Sequence, residues 1–289
     1  MNILLAMIPA FFWGTTYAVT QFTVPDWPPI LLGAIRALPA GLLLLALKPT
    51  LPQKHEWKPL FVLGTINIAM FFCLVFVMAL TLPAAIAGVG MISIPVFAML
   101  YHWAVYKRKP GTMQVFRGVA LIALAWLLFN PKTITLNPVG LLAMFAAIMC
   151  IVIGSSVTKL MGTRMHWWTV LTWQLIIGGV ILTVVSGVMA TLNPEPYLSA
   201  LKNISLINTL GLLWVILFNT ALSYTMYVWL LQRMSVVDFT FGNIINPIAG
   251  ILSGLILLGE SFTPLQYGLM LSMILVSLLP QLMMKFFNK

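Results

Sequence analysis

Ten runs of about 20 apolar residues, divided by short polar stretches, leave almost none of this 289-residue chain for anything else. They fall near residues 3 to 20, 30 to 47, 60 to 80, 83 to 105, 114 to 130, 138 to 158, 168 to 190, 207 to 230, 236 to 258 and 265 to 284. A helix needs roughly 20 apolar residues to cross the hydrocarbon of a bilayer. With 61% hydrophobic and 7% charged residues and a mean hydropathy of +1.05, the chain is expected to be an all-α integral membrane protein with ten transmembrane helices. The short alternating period of a membrane β-barrel is absent. The first run lacks a basic flank and continues into Thr16, Tyr17 and Thr20, so it reads as a retained span. Ile244 to Glu260 carries Asn246, Pro247, Gly250, Ser253 and Gly254 inside an apolar stretch, interruptions that a membrane span tolerates better than a soluble core helix. Cys73 and Cys150 both lie in spans and read as packing residues.

The net charge of +10 lies in loops and not on a folded basic patch, so nucleic acid is not an expected partner. Its distribution sets the orientation. With a cytoplasmic N-terminus, Lys48, Lys54, Lys58, Lys107, Arg108, Lys109, Arg117, Lys159, Arg164, Arg233, Lys285 and Lys289 are inside, against Lys132 and Lys202 outside. Arg36 is left within a span. Both termini are therefore expected in the cytoplasm.

An internal echo refines the plan. At an offset of 152, Gly90 meets Gly242, Ile92 meets Ile244, Pro95 meets Pro247, Leu100 meets Leu252 and Gln114 meets Gln266. Near an offset of 140, Gly14-Thr15-Thr16 meets Gly154-Ser155-Ser156; after a two-residue slip Arg36 meets Gln174 and Gly41 meets Gly179. Two five-helix repeats, 1–135 and 136–289, follow. Five is odd, so the second enters the membrane inverted. That explains why the fourth span ends on Lys107-Arg108-Lys109 while its counterpart ends on Gly259-Glu260: one end lies inside, the other outside.

FWGTTYAVTQFTV and WPPILLGAIRALPAGLLLLAL in the first two spans, with NPIAGILSGLILLGESFTPLQYGLMLSMILV near the end, resemble the EamA-like branch of the drug/metabolite transporter superfamily. The resemblance covers essentially the whole chain. It implies a ten-helix inverted-repeat carrier of the bacterial inner membrane that exports amino acids, related metabolites or amphiphilic toxic compounds. The Gly-Glu signature occurs once only, since the first repeat has Lys107-Arg108 there.

Polar groups inside a bilayer are costly and therefore informative. Arg36, about two turns into the second span, is a candidate to bind a substrate carboxylate; alternatively it reaches the outer interface, a helix-end carbonyl or Glu260. Asp238 is a proton-site candidate or a carboxylate favoured by a helix N-terminus. Glu260 sits at a helix C-terminus, where the dipole is unhelpful, so a gating or structural ion pair is expected. His102 is either a packed histidine or a proton relay. Gly88, Met91, Pro95, Met99 and His102 share one face of the fourth span, and Phe239, Asn243, Asn246, Gly250 and Ser253 one face of the ninth. Both faces are expected to line a midplane cavity, with Pro95, Pro247 and Gly250 as breaks or hinges; close helix packing is the competing use of the small residues. Trp13, Tyr17, Asn67, Gln174, Asn219 and Tyr224 would complete an amphipathic pocket. Trp27, Trp57, Trp167 and Trp168, near span ends, read as interface anchors.

The absence of a phosphate-binding loop excludes ATP drive within this chain. The five carboxylates and three histidines show no metal-ligand spacing, so an enzyme is not expected, nor is a metal or a cofactor. What remains is a secondary transporter of a small-molecule substrate, with a multidrug carrier for lipophilic cations or a passive channel as the alternatives.

Overall fold

The structure, a computed structural model, describes residues 3–107, 109–129, 134–161, 165–231, 233 and 242–287. Among the described residues every regular element is helical. A helix occupies each apolar run: α1 Ile3–Thr23, α2 Pro29–Leu47, α3 Lys54–Thr81, α4 Ala84–Tyr106, α5 Thr112–Leu128, α6 Pro138–Met161, α7 Trp167–Leu192, α8 Leu206–Leu230, α9 Ile245–Leu258 and α10 Pro264–Phe287. Six of them, α2, α3, α4, α6, α7 and α8, are long and apolar enough to cross a bilayer; α5 and α9 are shorter apolar helices, as is the Pro264–Leu278 part of α10. Side chains such as Trp126, Val184, Leu142 and Ile256 are exposed around the outside, a surface suited to lipid.

Proline sets many of the boundaries. Pro29 starts α2 with its fixed φ, and Leu82, extended at φ −118° because Pro83 follows, separates α3 from α4. The far ends of α4 and α9 are matched. Both stop on a left-handed residue, Lys107 at φ 56° and Gly259 at φ 65°, positions 152 apart in the chain. Only the second carries the residue that adopts this conformation without cost.

Two irregularities bear on function. Within α3 the stretch Gly64–Met70 is π-helical, and within α8 so is Trp214–Leu222. Each holds one asparagine, Asn67 and Asn219, again 152 positions apart. In α4, a 3₁₀ turn over Met91–Ser93 precedes Pro95, which sits in the first turn of the α-helical stretch that follows. Pro247 occupies the same place in α9, in the first turn after the bend at residues 243–244. Both prolines thus stand where regular helix resumes.

Helices of the first half pack chiefly on helices of the second: α1 on α9, α2 on α7, α3 on α6 and α7, α4 on α9, and α5 on α10. Gly14 lets α1 lie directly on the Asn246 carbonyl and the Ala249 methyl of α9, where any added Cβ would clash. Gly88 of α4 meets Gly250 of α9, with 3.5 Å between an ideal Cβ and the opposing Cα. The core centres on α3, whose Ile68, Phe72, Phe76 and Met78 are fully buried.

Three features depart from expectation. Trp27 and Trp168 are buried, not at a lipid surface; Trp168 Nε1 donates to the Lys48 carbonyl at 3.1 Å and holds the α2–α3 connection against α7. The segment after α7 forms a short helix, Pro194–Lys202, with Glu195 in its first turn and Lys202 in its last, both favoured by the helix dipole. Ala200 is its buried contact.

Candidate functional site

A cavity of about 450 Å³ lies between the two halves and is lined by α1 to α6 and α8 to α10. Ten of the expected residues meet there: Trp13, Tyr17, Arg36, Asn67 and Met91 with Pro95, Tyr224, Asn243, Asn246 and Pro247. Its walls combine ring faces with amide and hydroxyl groups, the composition of a small-molecule site.

Arg36 is 3% exposed. Its Nε donates to Thr220 Oγ1 at 2.9 Å, and its guanidinium lies 4.1 Å from the Phe72 ring centroid, a cation–π contact. Thr220 passes its own proton to the Val215 carbonyl five residues back, a geometry that the π-helical turn provides. The guanidinium therefore neither reaches the outer interface nor pairs with Glu260. Tyr17 and Tyr224 line the same cavity as Arg36.

The aromatic wall is fixed by the same π-helical turn of α8. Trp13 Nε1 donates to the Asn219 carbonyl at 3.0 Å, and Asn219 Nδ2 donates to Thr16 Oγ1 at 2.7 Å. Trp13 then stands edge-on to Tyr224 and Tyr227, with centroids 5.3 and 5.4 Å away. Asn219 is fully buried and acts through Trp13 and Thr16, outside the cavity lining. Gln174 plays the mirrored part: it is buried and accepts from Asn67 Nδ2 at 3.0 Å. So Arg36 on α2 touches the π-helical turn of α8, and its counterpart Gln174 on α7 touches that of α3.

Other expected residues lie elsewhere. Met99 packs toward Gly118 of α5, and His102 gives Nδ1 to the Ala98 carbonyl at 2.7 Å beside Tyr101 and Tyr106. Neither lines the cavity. The 3₁₀ turn explains this, because three residues at 120° instead of 100° rotate the rest of α4 by roughly 60°. Gly250 serves the helix crossing instead of the wall. Among the described residues Glu260 finds no ion pair; its carboxylate accepts the backbone N–H groups of Ala84 and Ala85, the second at 3.1 Å, so the C-terminal end of α9 latches onto the N-terminus of α4. Burial pushes its carboxyl above the usual range, outweighing those two hydrogen bonds. Asp238 and Phe239 lie outside the described residues.

Sequence reasoning missed Thr16, Phe71, Ser155, Tyr227 and Arg117 as lining residues. Arg117 was assigned to the cytoplasmic basic loops; it stands instead one turn inside α5, half-buried on the cavity wall. Its place beyond Thr112, with apolar residues following without a break, was the available signal. The 152-residue spacing of Asn67 and Asn219 was equally readable.

Comparison with known proteins agrees with this arrangement. The sequence profile described as the EamA-like transporter family matches residues 1–130 and again 138–279. Protein PecM of Dickeya dadantii is 34% identical over 259 residues, which cover 88% of this chain and 83% of its own. The inner membrane transporter YedA of Escherichia coli K12 is 26% identical over 268 residues, 88% of this chain and 82% of that protein. A solved crystal structure superposes on 95% of the chain, and 94% of its own, with a TM-score of 0.62 at 15% identity, a likeness of fold. The chain is a multi-pass protein of the bacterial inner membrane and belongs to the EamA-like transporter family.

Proposed function

We propose that this protein is a secondary-active exporter of small metabolites, amino acids or related compounds, working by alternating access through the cavity between two repeats, 1–135 and 136–289. The observation that carries the reading is a cavity walled by both halves and lined by Pro95 and Pro247, each in the first turn of the regular stretch of the matched helices α4 and α9. The division into two repeats is supported by the double family match, the matched left-handed helix ends and the paired π-helical turns; inversion and cytoplasmic termini rest on five helices per repeat and on the distribution of basic residues. Helices packed mainly across the two halves suit one repeat rocking on the other.

The lining reaches from mid-membrane toward the ends of α5, α8, α9 and α10 that share the Lys107 face, through Arg117, Tyr227, Asn243 and Ser277. At the opposite face Glu260 joins α9 to α4, and Asn208 Nδ2 donates to the Thr23 carbonyl, tying α8 to α1. An inward-facing state fits this distribution. The expected result is saturable uptake of a labelled amino acid or related acid into proteoliposomes preloaded with the unlabelled pool, and its stimulation by a pH gradient would assign proton coupling. Non-saturating flux indifferent to the internal pool would leave a passive channel.

A further inference from the structure

The cavity contains two guanidiniums and, among the described residues, no carboxylate. Arg36 enters from α2, seven residues or about 10 Å from the end near Thr23; Arg117 enters from α5, five residues or about 8 Å from the end near Lys107. The four described acids are elsewhere: Asp26 and Glu195 outside the helices that line the cavity, Glu56 bound to the Gln53 amide, and Glu260 in the latch. Phe72 and Thr220 offset part of the cost of burying Arg36, but neither supplies a negative charge. Positive charge that no described residue compensates, in a low-dielectric site, attracts an anion and repels a cation strongly. The amides of Asn67, Asn243 and Asn246 offer neutral dipoles, which suit a hydroxyl or carbonyl of the substrate better than a full ammonium charge.

We propose that the cavity selects organic anions over zwitterions and cations, with Arg36 and Arg117 binding the anionic group in succession as it moves between the two faces. The proposal rests on the carrier reading of the same cavity and narrows its substrate to acids of net negative charge. Trp13, Tyr224 and Tyr227 add a wall suited to a flat or aromatic body.

Three compounds on one scaffold test it: 3-phenylpropanoate, phenylalanine and 2-phenylethylamine, which are anion, zwitterion and cation at neutral pH. Each is labelled and assayed for saturable counterflow in proteoliposomes of the full chain. The expected result is that the anion is preferred about tenfold or more over both others. Arg117→Gln should lower that preference about tenfold while Arg117→Lys restores most of it, a ratio that a merely structural role for Arg117 would leave unmoved. Arg117 is half-buried, so its variants remain informative where Arg36→Gln fails to fold. Equal or better transport of phenylalanine or phenylethylamine overturns the charge assignment and leaves the carrier intact. So does zwitterion transport that is lost in Asp238→Asn, which would place a counter-charge in the site. Absence of saturable flux for all three in vesicles that still exchange the amino-acid pool removes the proposal alone, and absence of both removes the carrier reading with it.

Discussion

At the scale of single residues, Arg36 concentrates the chemistry. An isolated guanidinium in a membrane interior is expensive, and among the described residues this one is met by the rings of Phe72 and Phe76 and by a hydroxyl. The fork of N–H donors that Thr220 leaves free is suited to a planar carboxylate, which a lysine cannot grip in the same bidentate way. Arg36→Lys is therefore expected to raise the half-saturation concentration for a carboxylate substrate about tenfold, with a melting temperature close to the parent's. Proteoliposome uptake and thermal unfolding of the purified variant check both parts, and unchanged half-saturation would assign Arg36 to structure.

At the scale of the helix, α4 and α9 are one design with two endings. Lys107 holds a left-handed conformation that costs an ordinary side chain roughly 1 kcal/mol, whereas Gly259 adopts it freely. Lys107→Gly is expected to stabilise the protein slightly and Gly259→Ala to destabilise it by about 1 kcal/mol, both readable as shifts in thermal unfolding. The latch gives the element its pH dependence. Because burial raises the Glu260 carboxyl pKa in the latched form, that form binds a proton more tightly than an opened one with a solvated carboxylate. Falling pH through the window above the ordinary carboxylate value of 4.5 thus favours the latched state and slows opening at that face. Glu260→Gln, which mimics the protonated form, should transport slowly at neutral pH and lose the acid limb of the profile. A full acid limb in that variant would place the titrating group elsewhere.

At the scale of the whole molecule, the two halves are related but not in the same state. α1 lies directly on α9 through Gly14, whereas Gly154, the sequence counterpart of Gly14, faces the Asn67 side chain on α3 instead of α4. Between α4, α5 and α6 a second, apolar cavity of about 450 Å³ occupies the corresponding region. On the carrier reading proposed above, this asymmetry is that of one conformation of two, closed on one side and open on the other. Ser155 is exposed within the central cavity. With Cys73 and Cys150 replaced by serine, Ser155→Cys should react with a membrane-impermeant maleimide from the Lys107 face, and substrate should protect it. Labelling from the Glu260 face alone would reverse the assigned orientation.

Much of this was legible in order of residues alone. Spans, their boundaries at proline and the doubling of the chain follow from hydropathy and spacing, because a bilayer requires continuous apolar helices and repeats leave residues in register. Helix-face reasoning located Met91, Pro95, Asn243 and Asn246 on the cavity, but it failed at Met99 and His102 once the 3₁₀ turn rotated α4. The spacing of Asn67 and Asn219 marks equivalent positions, yet nothing in sequence says that both helices widen there into π turns. Only tertiary packing decided the partners: Thr220 and Phe72 for Arg36, the α4 N-terminus for Glu260, the cavity for Arg117. Local pattern tells a helix which face to bury, whereas the group that meets a buried charge comes from a distant segment chosen by close packing across the two halves.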